Sequence, residues 1–305
     1  MPDAEEDGPG GWAGFRAGAA LGIALVVGFA GGRLTGSPTP PAQPPDSTAQ
    51  TALAPDSVFY VPSAPVHQHG AATGSTDTAG LARTASGLTL DAPATEFQAG
   101  RRQTFRFRVL AGGGAPVTTF TPAHDRLLHL VVIRRDLTGF QHLHPTMTPD
   151  GAWSTGLTLG EPGSYRAIAD FTAIVGGRPL PVTLGVDLTV AGDQIPVPLP
   201  PPADQVETGD LTVRLDGAPE AGREGLSTVQ VSTPDGTPAK LEPYLGAAAH
   251  LIAFSEGDVA YLHTHAETGA ARFLWTPPAP GRYRLFAEFQ VAGRVHVAAF
   301  TVQVP

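Results

Sequence analysis

Apolar and polar residues alternate along QTFRFRVL (103–110), and short runs of similar character recur at LLHLVVI (127–133), FQHLH (140–144), AWSTGLTL (152–159), SYRAIADFTAI (164–174) and VTLGVDLTV (182–190). A period of two sends successive side chains to opposite faces, so these segments predict half-buried strands. Asp150-Gly151 and Gly176-Gly177 supply turns between them. About seven short strands in roughly a hundred residues, separated by Gly and Pro turns, predict an all-β fold of the immunoglobulin-like sandwich type. Outside the N-terminal segment no helical period competes with this reading.

The same pattern occurs twice. HLVVIRRDLTGFQHLHP and EPGSYRAIADF of the first unit reappear as HLIAFSEGDVAYLHTHA and APGRYRLFAEF in the second. Adding 121 carries His129, His142 and His144 onto His250, His263 and His265, and adding 118 carries Tyr165 and Asp170 onto Tyr283 and Glu288. Such self-similarity predicts two tandem copies of one domain, spanning 87–192 and 206–305. IPVPLPPP (195–202), within a linker at 193–205, favours a stiff polyproline II spacer that holds the two units apart.

The N-terminal third differs. Only uncharged residues lie between Arg16 and Arg33, long enough with Trp12 and Phe15 to cross a bilayer, so 1–34 is expected to be a membrane anchor or a signal segment. The acidic MPDAEEDGPG before it lacks the positive charge of a secretory signal and favours an uncleaved anchor. Residues 35–86 are rich in Pro, Ser, Thr and Ala, and are expected to form a disordered stalk. The implied location is a single membrane pass with the bulk extracytoplasmic, periplasmic or at the cell surface.

Composition narrows the chemistry. The chain of 305 residues has no cysteine, which excludes disulfides, thiolate metal sites and cysteine nucleophiles. A formal charge of −9 with no long basic run argues against nucleic acid as a partner. Any metal must be held by His, Asp or Glu. His142 and His144 stand two apart on one strand, as do His263 and His265, so each pair shares a face. If a four-residue connection pairs Ile133 with Thr138, His129 falls opposite His142. A displacement of two sets it opposite His144 on the same face. The same parity gathers His250 with His263 and His265. Three imidazoles converging with an open position suit copper or zinc. The plainer alternative is that they are solvated, or buried and hydrogen-bonded.

Weaker candidates are Asp170 and Glu288, placed to orient an imidazole or complete a coordination sphere, and His296, whose counterpart in the first unit is expected at Leu180. His124 reads as a loop histidine, the His67/His69 pair of the stalk as composition, and Met147 as a neighbour of His144. No Gly-x-Ser-x-Gly elbow, phosphate-binding loop or His-Glu-x-x-His helix accompanies the histidines, so an enzyme is not expected.

The motif His-Leu, hairpin, His-x-His and then Pro-Gly-x-Tyr before a strand resembles the YtkA-like type of bacterial extracytoplasmic β-sandwich domain. The likeness covers both repeated units and leaves anchor and stalk unmatched. It implies a sandwich fold and an association with copper handling. The expected protein is a membrane-tethered metal-binding module for sequestration or delivery, with one three-histidine site per domain and an envelope metal transporter as the partner receiving the ion. The alternative is a structural or interaction protein of the envelope that holds no metal.

Overall fold

The computed structural model describes residues 79–265, 267 and 269–305. The expected anchor, the stalk up to residue 78 and His67 and His69 lie outside the described residues. Among the described residues every regular element is a strand, and no helix is long and apolar enough to cross a membrane.

The first unit comprises β1 (Thr84–Ala85), β2 (Leu88–Asp91), β3 (Glu96–Phe97), β4 (Arg102–Ala111), β5 (Phe120–Thr121), β6 (Leu128–Arg134), β7 (Gln141–Leu143), β8 (Thr146–Met147), β9 (Ala152–Thr158), β10 (Gly163–Val175) and β11 (Arg178–Val190). They form two sheets, β1-β2-β4-β9-β8 and β3-β11-β10-β6-β7, with β5 paired to β10. The second unit comprises β12 (Gln205–Thr208), β13 (Leu211–Asp216), β14 (Gly225–Ser232), β15 (Ala249–Ser255), β16 (Tyr261–His265), β17 (Arg272–Trp275), β18 (Gly281–Val291) and β19 (Arg294–Val304). Its sheets run β12-β13-β14-β17 and β16-β15-β18-β19. Each unit is a sandwich with its own core, built around Phe105, Phe107 and Trp153 in the first and Phe273, Phe289 and Phe300 in the second.

β4 obeys the sequence pattern. Phe105, Phe107 and Val109 are buried, while Thr104, Arg106 and Arg108 are exposed. The central strands of the other sheets do not. Every residue of β6 is buried, as are Tyr165–Ala173 of β10, Ala249–Phe254 of β15 and Leu285–Phe289 of β18. These strands are covered on both faces, because the faces turned away from the two cores meet each other. Val131, Ile133 and Ile168 of the first unit join Ile252, Phe254 and Phe286 of the second in a third apolar cluster. Phe140 stacks flat on Phe286, with ring centroids 4.0 Å apart and planes 5° from parallel.

The linker therefore does not hold the sandwiches apart, as the proline run led us to expect. Arg134 donates from Nη2 to Ile195 O at 3.1 Å, and Val197 N donates to Asp136 at 2.9 Å. Leu199 packs on the apolar seam, and Ala203 N bonds Thr301 O at 3.0 Å. The described N-terminal segment lies against the same region. Ala79 O accepts from Tyr261 N of the second unit, and Gly80 O accepts from the buried Arg166 of the first. An apolar seam of this kind, bridged by polar contacts on both sides, favours docked domains over freely swinging ones.

Candidate metal centre

His129 lies on β6 and His142 on β7, with His144 one residue past the end of β7. The pairing Leu130↔Leu143, Val131↔His142, Val132↔Gln141 aligns His129 with His144. This register is displaced by two from the one expected on a four-residue connection, and the cause is the turn. Arg134 N bonds Thr138 O at 2.9 Å, Leu137 adopts φ 64°, and Leu137 and Phe140 turn into the seam, which lengthens the connection. An even displacement leaves all three histidines on one face.

One ring nitrogen from each of His129, His142 and His144 lies within 4.8 Å of the other two. Hydrogen bonds fix which nitrogens face inward. His129 Nε2 stands 3.1 Å from Ala123 O, and because a carbonyl only accepts, Nε2 carries the proton and Nδ1 the lone pair. That Nδ1 stands 3.0 Å from His142 Nε2. On the far side of the His142 ring, Nδ1 donates to Glu288 Oε2 at 2.5 Å. A cation held between these two nitrogens would meet a lone pair from each ring. His144 Nε2 is buried with no hydrogen-bond partner among the described residues. Around a tetrahedral ion bound at about 2.0–2.1 Å, ligand nitrogens stand roughly 3.3 Å apart. The His129/His142 pair is close to that spacing, and closing the set requires His144 to move inward.

The electrostatics suit ligation. Burial, reinforced by the neighbouring His142 and partly offset by Asp170, lowers His129 from an ordinary 6.5 to about 4. Burial, then His142 and His129, lowers His144 to about 3. Burial, then His124 and His142, lowers His250 to about 3. These rings are neutral at pH 7, the form a metal requires. Tyr244 is pushed up to about 12 by burial and by the charge of Glu288, so it stays a neutral phenol beside them.

The second unit's histidine face meets the first's. His250 lies level with Glu288 on β18 and with His265 on β16, and its ring stands 6.4 Å from that of His142. Its Nε2 bonds Tyr244 O at 3.1 Å, repeating at the equivalent position the bond from His129 to Ala123. The backbone pairs His263 with Ile252, but the side chains of His263 and His265 lie outside the described atoms. The two carboxylates reach across the seam. Glu288 takes His142, and Asp170 accepts from the Tyr261 hydroxyl at 3.1 Å.

His296 does not join the cluster. It pairs with Phe289 and stacks on that core ring at 5.7 Å, on the face opposite Glu288. Its counterpart is Val182 rather than Leu180, since Phe171 pairs with Val182 as Phe289 pairs with His296, the second hairpin being shorter. Met147 packs on the first core. His124, expected to be a loop histidine, stands 5.3 Å from the His250 ring and 6.3 Å from that of His129. It occupies a turn in which His124 and Asp125 have φ of 49° and 60°, matched by Leu245 and Gly246 at 50° and 72°. The signal available in sequence was its position just before His129. Tyr244 carried no such signal.

Residues 83–187 and 205–305 each match the model of one protein family, described as Domain of unknown function (DUF8832). No curated protein matches the chain. Among solved structures, similarity extends to the Escherichia coli adhesin FdeC at 15% identity, over 72% of this chain and 64% of that one, with a TM-score of 0.23. It also extends to a Salmonella alpha-2-macroglobulin mutant at 12% identity, over 71% of this chain and 14% of that one, with a TM-score of 0.25. A putative membrane anchored protein from Corynebacterium diphtheriae is 12% identical over 72% of this chain and 57% of that one, with a TM-score of 0.22. The match thus spans less than two thirds of each of these proteins.

Proposed function

The chain belongs to the DUF8832 family, whose domain it carries twice, and from the histidine face shared by the two copies we propose that it binds copper or zinc. The observation that carries this reading is the convergence of His129, His142 and His144 within 4.8 Å, with His129 Nδ1 left as a lone pair by the bond from Nε2 to Ala123 O. A ring anchored through one nitrogen, with the other turned toward neighbouring imidazoles, is the arrangement of a metal ligand. When bound, the ion would be held by His129, His142 and His144, leaving a position for a further ligand or for transfer.

The proposed role is sequestration or delivery without turnover. The uncharged run between Arg16 and Arg33 and the Pro-rich stretch after it support a tether that holds the immunoglobulin-like pair outside the cytoplasm, where an envelope transporter is the natural recipient of the ion. The YtkA-like motif supports the same assignment. A structural role with no metal is the rival reading, favoured by the apolar seam that fixes the two sandwiches.

The full chain, loaded with copper(II) or zinc, desalted and analysed for metal, separates the two. Retained metal that is lost in a His129→Ala, His142→Ala double variant is expected. No retained metal in the parent, or full retention in the variant, overturns the metal reading.

A further inference from the structure

The three ligands belong to the first sandwich, but the group that aims the central one belongs to the second. Glu288 lies on β18, pairs with His250 through the backbone, and sends its carboxylate across the seam to Nδ1 of His142. The two side chains are 6% and 0% exposed, so water does not compete for either. The first sandwich's own carboxylate at the equivalent position, Asp170, pairs with His129 from β10 and accepts from the hydroxyls of Tyr261 and Thr183. The orienting group for His142 is thus supplied in trans by the partner domain.

Resting on the metal-binding reading above, we infer that the site is an inter-domain device. Glu288 acts as a positioning residue that keeps the proton on His142 Nδ1 and turns Nε2 toward the ion, so that metal affinity is high only while the sandwiches are docked. A carboxylate behind a ligating imidazole fixes its tautomer, orients its ring and raises its basicity. Removal of such a group from a metal site lowers affinity by about 10- to 100-fold. Coupling between two equilibria is reciprocal. If docking strengthens metal binding, the ion must strengthen docking by the same factor, and a demetallated molecule opens more readily than a loaded one. Delivery then has a physical basis, because a partner that separates the domains also weakens the grip on the ion.

Two variants of the full chain test this. Glu288→Gln preserves the shape of the residue but removes its charge. Phe286→Asp places a charge in the apolar seam, against Phe140 and Phe254, without altering any histidine. Competitive titration with zinc or copper(II) is expected to give a 10- to 100-fold weaker dissociation constant for both. In zinc-loaded parent protein the His142 Nδ1 proton should give a far-downfield resonance, and that resonance should be absent from both variants. A merely structural role for Glu288 would lower stability but leave this proton and the affinity of the folded protein unchanged. Parent-like affinity in both variants, with the parent itself binding metal, overturns the inter-domain inference and leaves a metal site of the first sandwich alone. No binding by the parent overturns the metal reading and this inference with it. If Phe286→Asp fails to fold, Glu288→Gln decides the matter by the same two readouts.

Discussion

The Glu288 carboxylate and the His142 imidazole, 146 residues apart in the chain, meet at 2.5 Å across the seam between the two sandwiches. Neither has significant access to water. Replacing His142 by Ala therefore leaves a buried carboxylate without its donor. We expect a loss of about 3 kcal/mol, the usual scale for breaking a buried pair from one side. In metal-free protein, Glu288→Gln added to His142→Ala should recover part of that loss, because a neutral amide is easier to bury. Urea denaturation of the two single variants and the double variant measures the coupling. Additive losses would mean that the pair contributes no interaction of its own.

Acid should destabilise the protein through its histidines. His129, His144 and His250 are lowered to about 4, about 3 and about 3 from an ordinary 6.5, with burial the largest cause in each case. Above pH 6.5 neither the folded nor the unfolded chain protonates these rings, and they impose no pH dependence. Below it the unfolded chain takes up protons that the folded chain refuses, so stability falls from about pH 6.5 through pH 4 and on toward pH 3. Urea midpoints measured at intervals between pH 7.5 and pH 4 on metal-free protein should decline with falling pH, and less steeply in His129→Phe. A flat profile over that range would mean that these rings protonate as readily in the folded chain as in the unfolded one.

The repeat, the strands and the shared face of the histidines are legible in the sequence because all three follow from a period of two and a constant offset. An even change of register cannot move His129 off the face of His142 and His144, so the triad survives a misjudged turn. Parity also explains why His296 stands apart from the cluster. Its strand, its partner Phe289 and the length of the preceding hairpin had to be known together, and the pairing puts it on the core side. What the pattern does not announce is the docking of the two units. The runs LHLVVI and AHLIAF are apolar without alternation, the mark of strands covered on both faces. Nothing local says that the second cover is the other copy of the same domain. The trans contact of Glu288 and the approach of His124 to His250 depend on that docking, so neither was available from spacing alone.

The seam should yield to a single large-to-small change. Phe286 is buried against Phe140 and Phe254, and its truncation removes a stacked ring from each neighbour. Phe286→Ala is expected to cost about 3 kcal/mol or more of docking and folding free energy combined. If the linker is tied down only while the seam is closed, residues 193–204 should then be cleaved faster by a broad-specificity protease, before either core is attacked. Parent-like cleavage of that stretch would show that its bonds to Arg134, Asp136 and Thr301 hold it without help from the seam.

The strap formed by residues 79–82 should be released by one methyl group. Gly185 on β11 has ordinary backbone geometry, so alanine there is not strained in itself. A Cβ at that position would, however, meet the carbonyl oxygen of Gly80 and the guanidinium of Arg166. The obstacle is backbone rather than the free end of a side chain, and it cannot yield without breaking the bonds from Gly185 N to Ala82 O and from Arg166 to Gly80 O. Gly185→Ala is expected to lower stability by about 1–3 kcal/mol, the range for overpacking, and to expose the chain near Gly80 to proteolysis. Gly160, where a Cβ meets nothing within 4 Å, provides the control. Gly160→Ala should change stability by no more than about 0.5 kcal/mol, as for other surface substitutions away from special features. Since Ala79 also bonds Tyr261 of the second sandwich, strap release should loosen the docking as well, and metal affinity in Gly185→Ala should fall in the same direction as in Phe286→Asp.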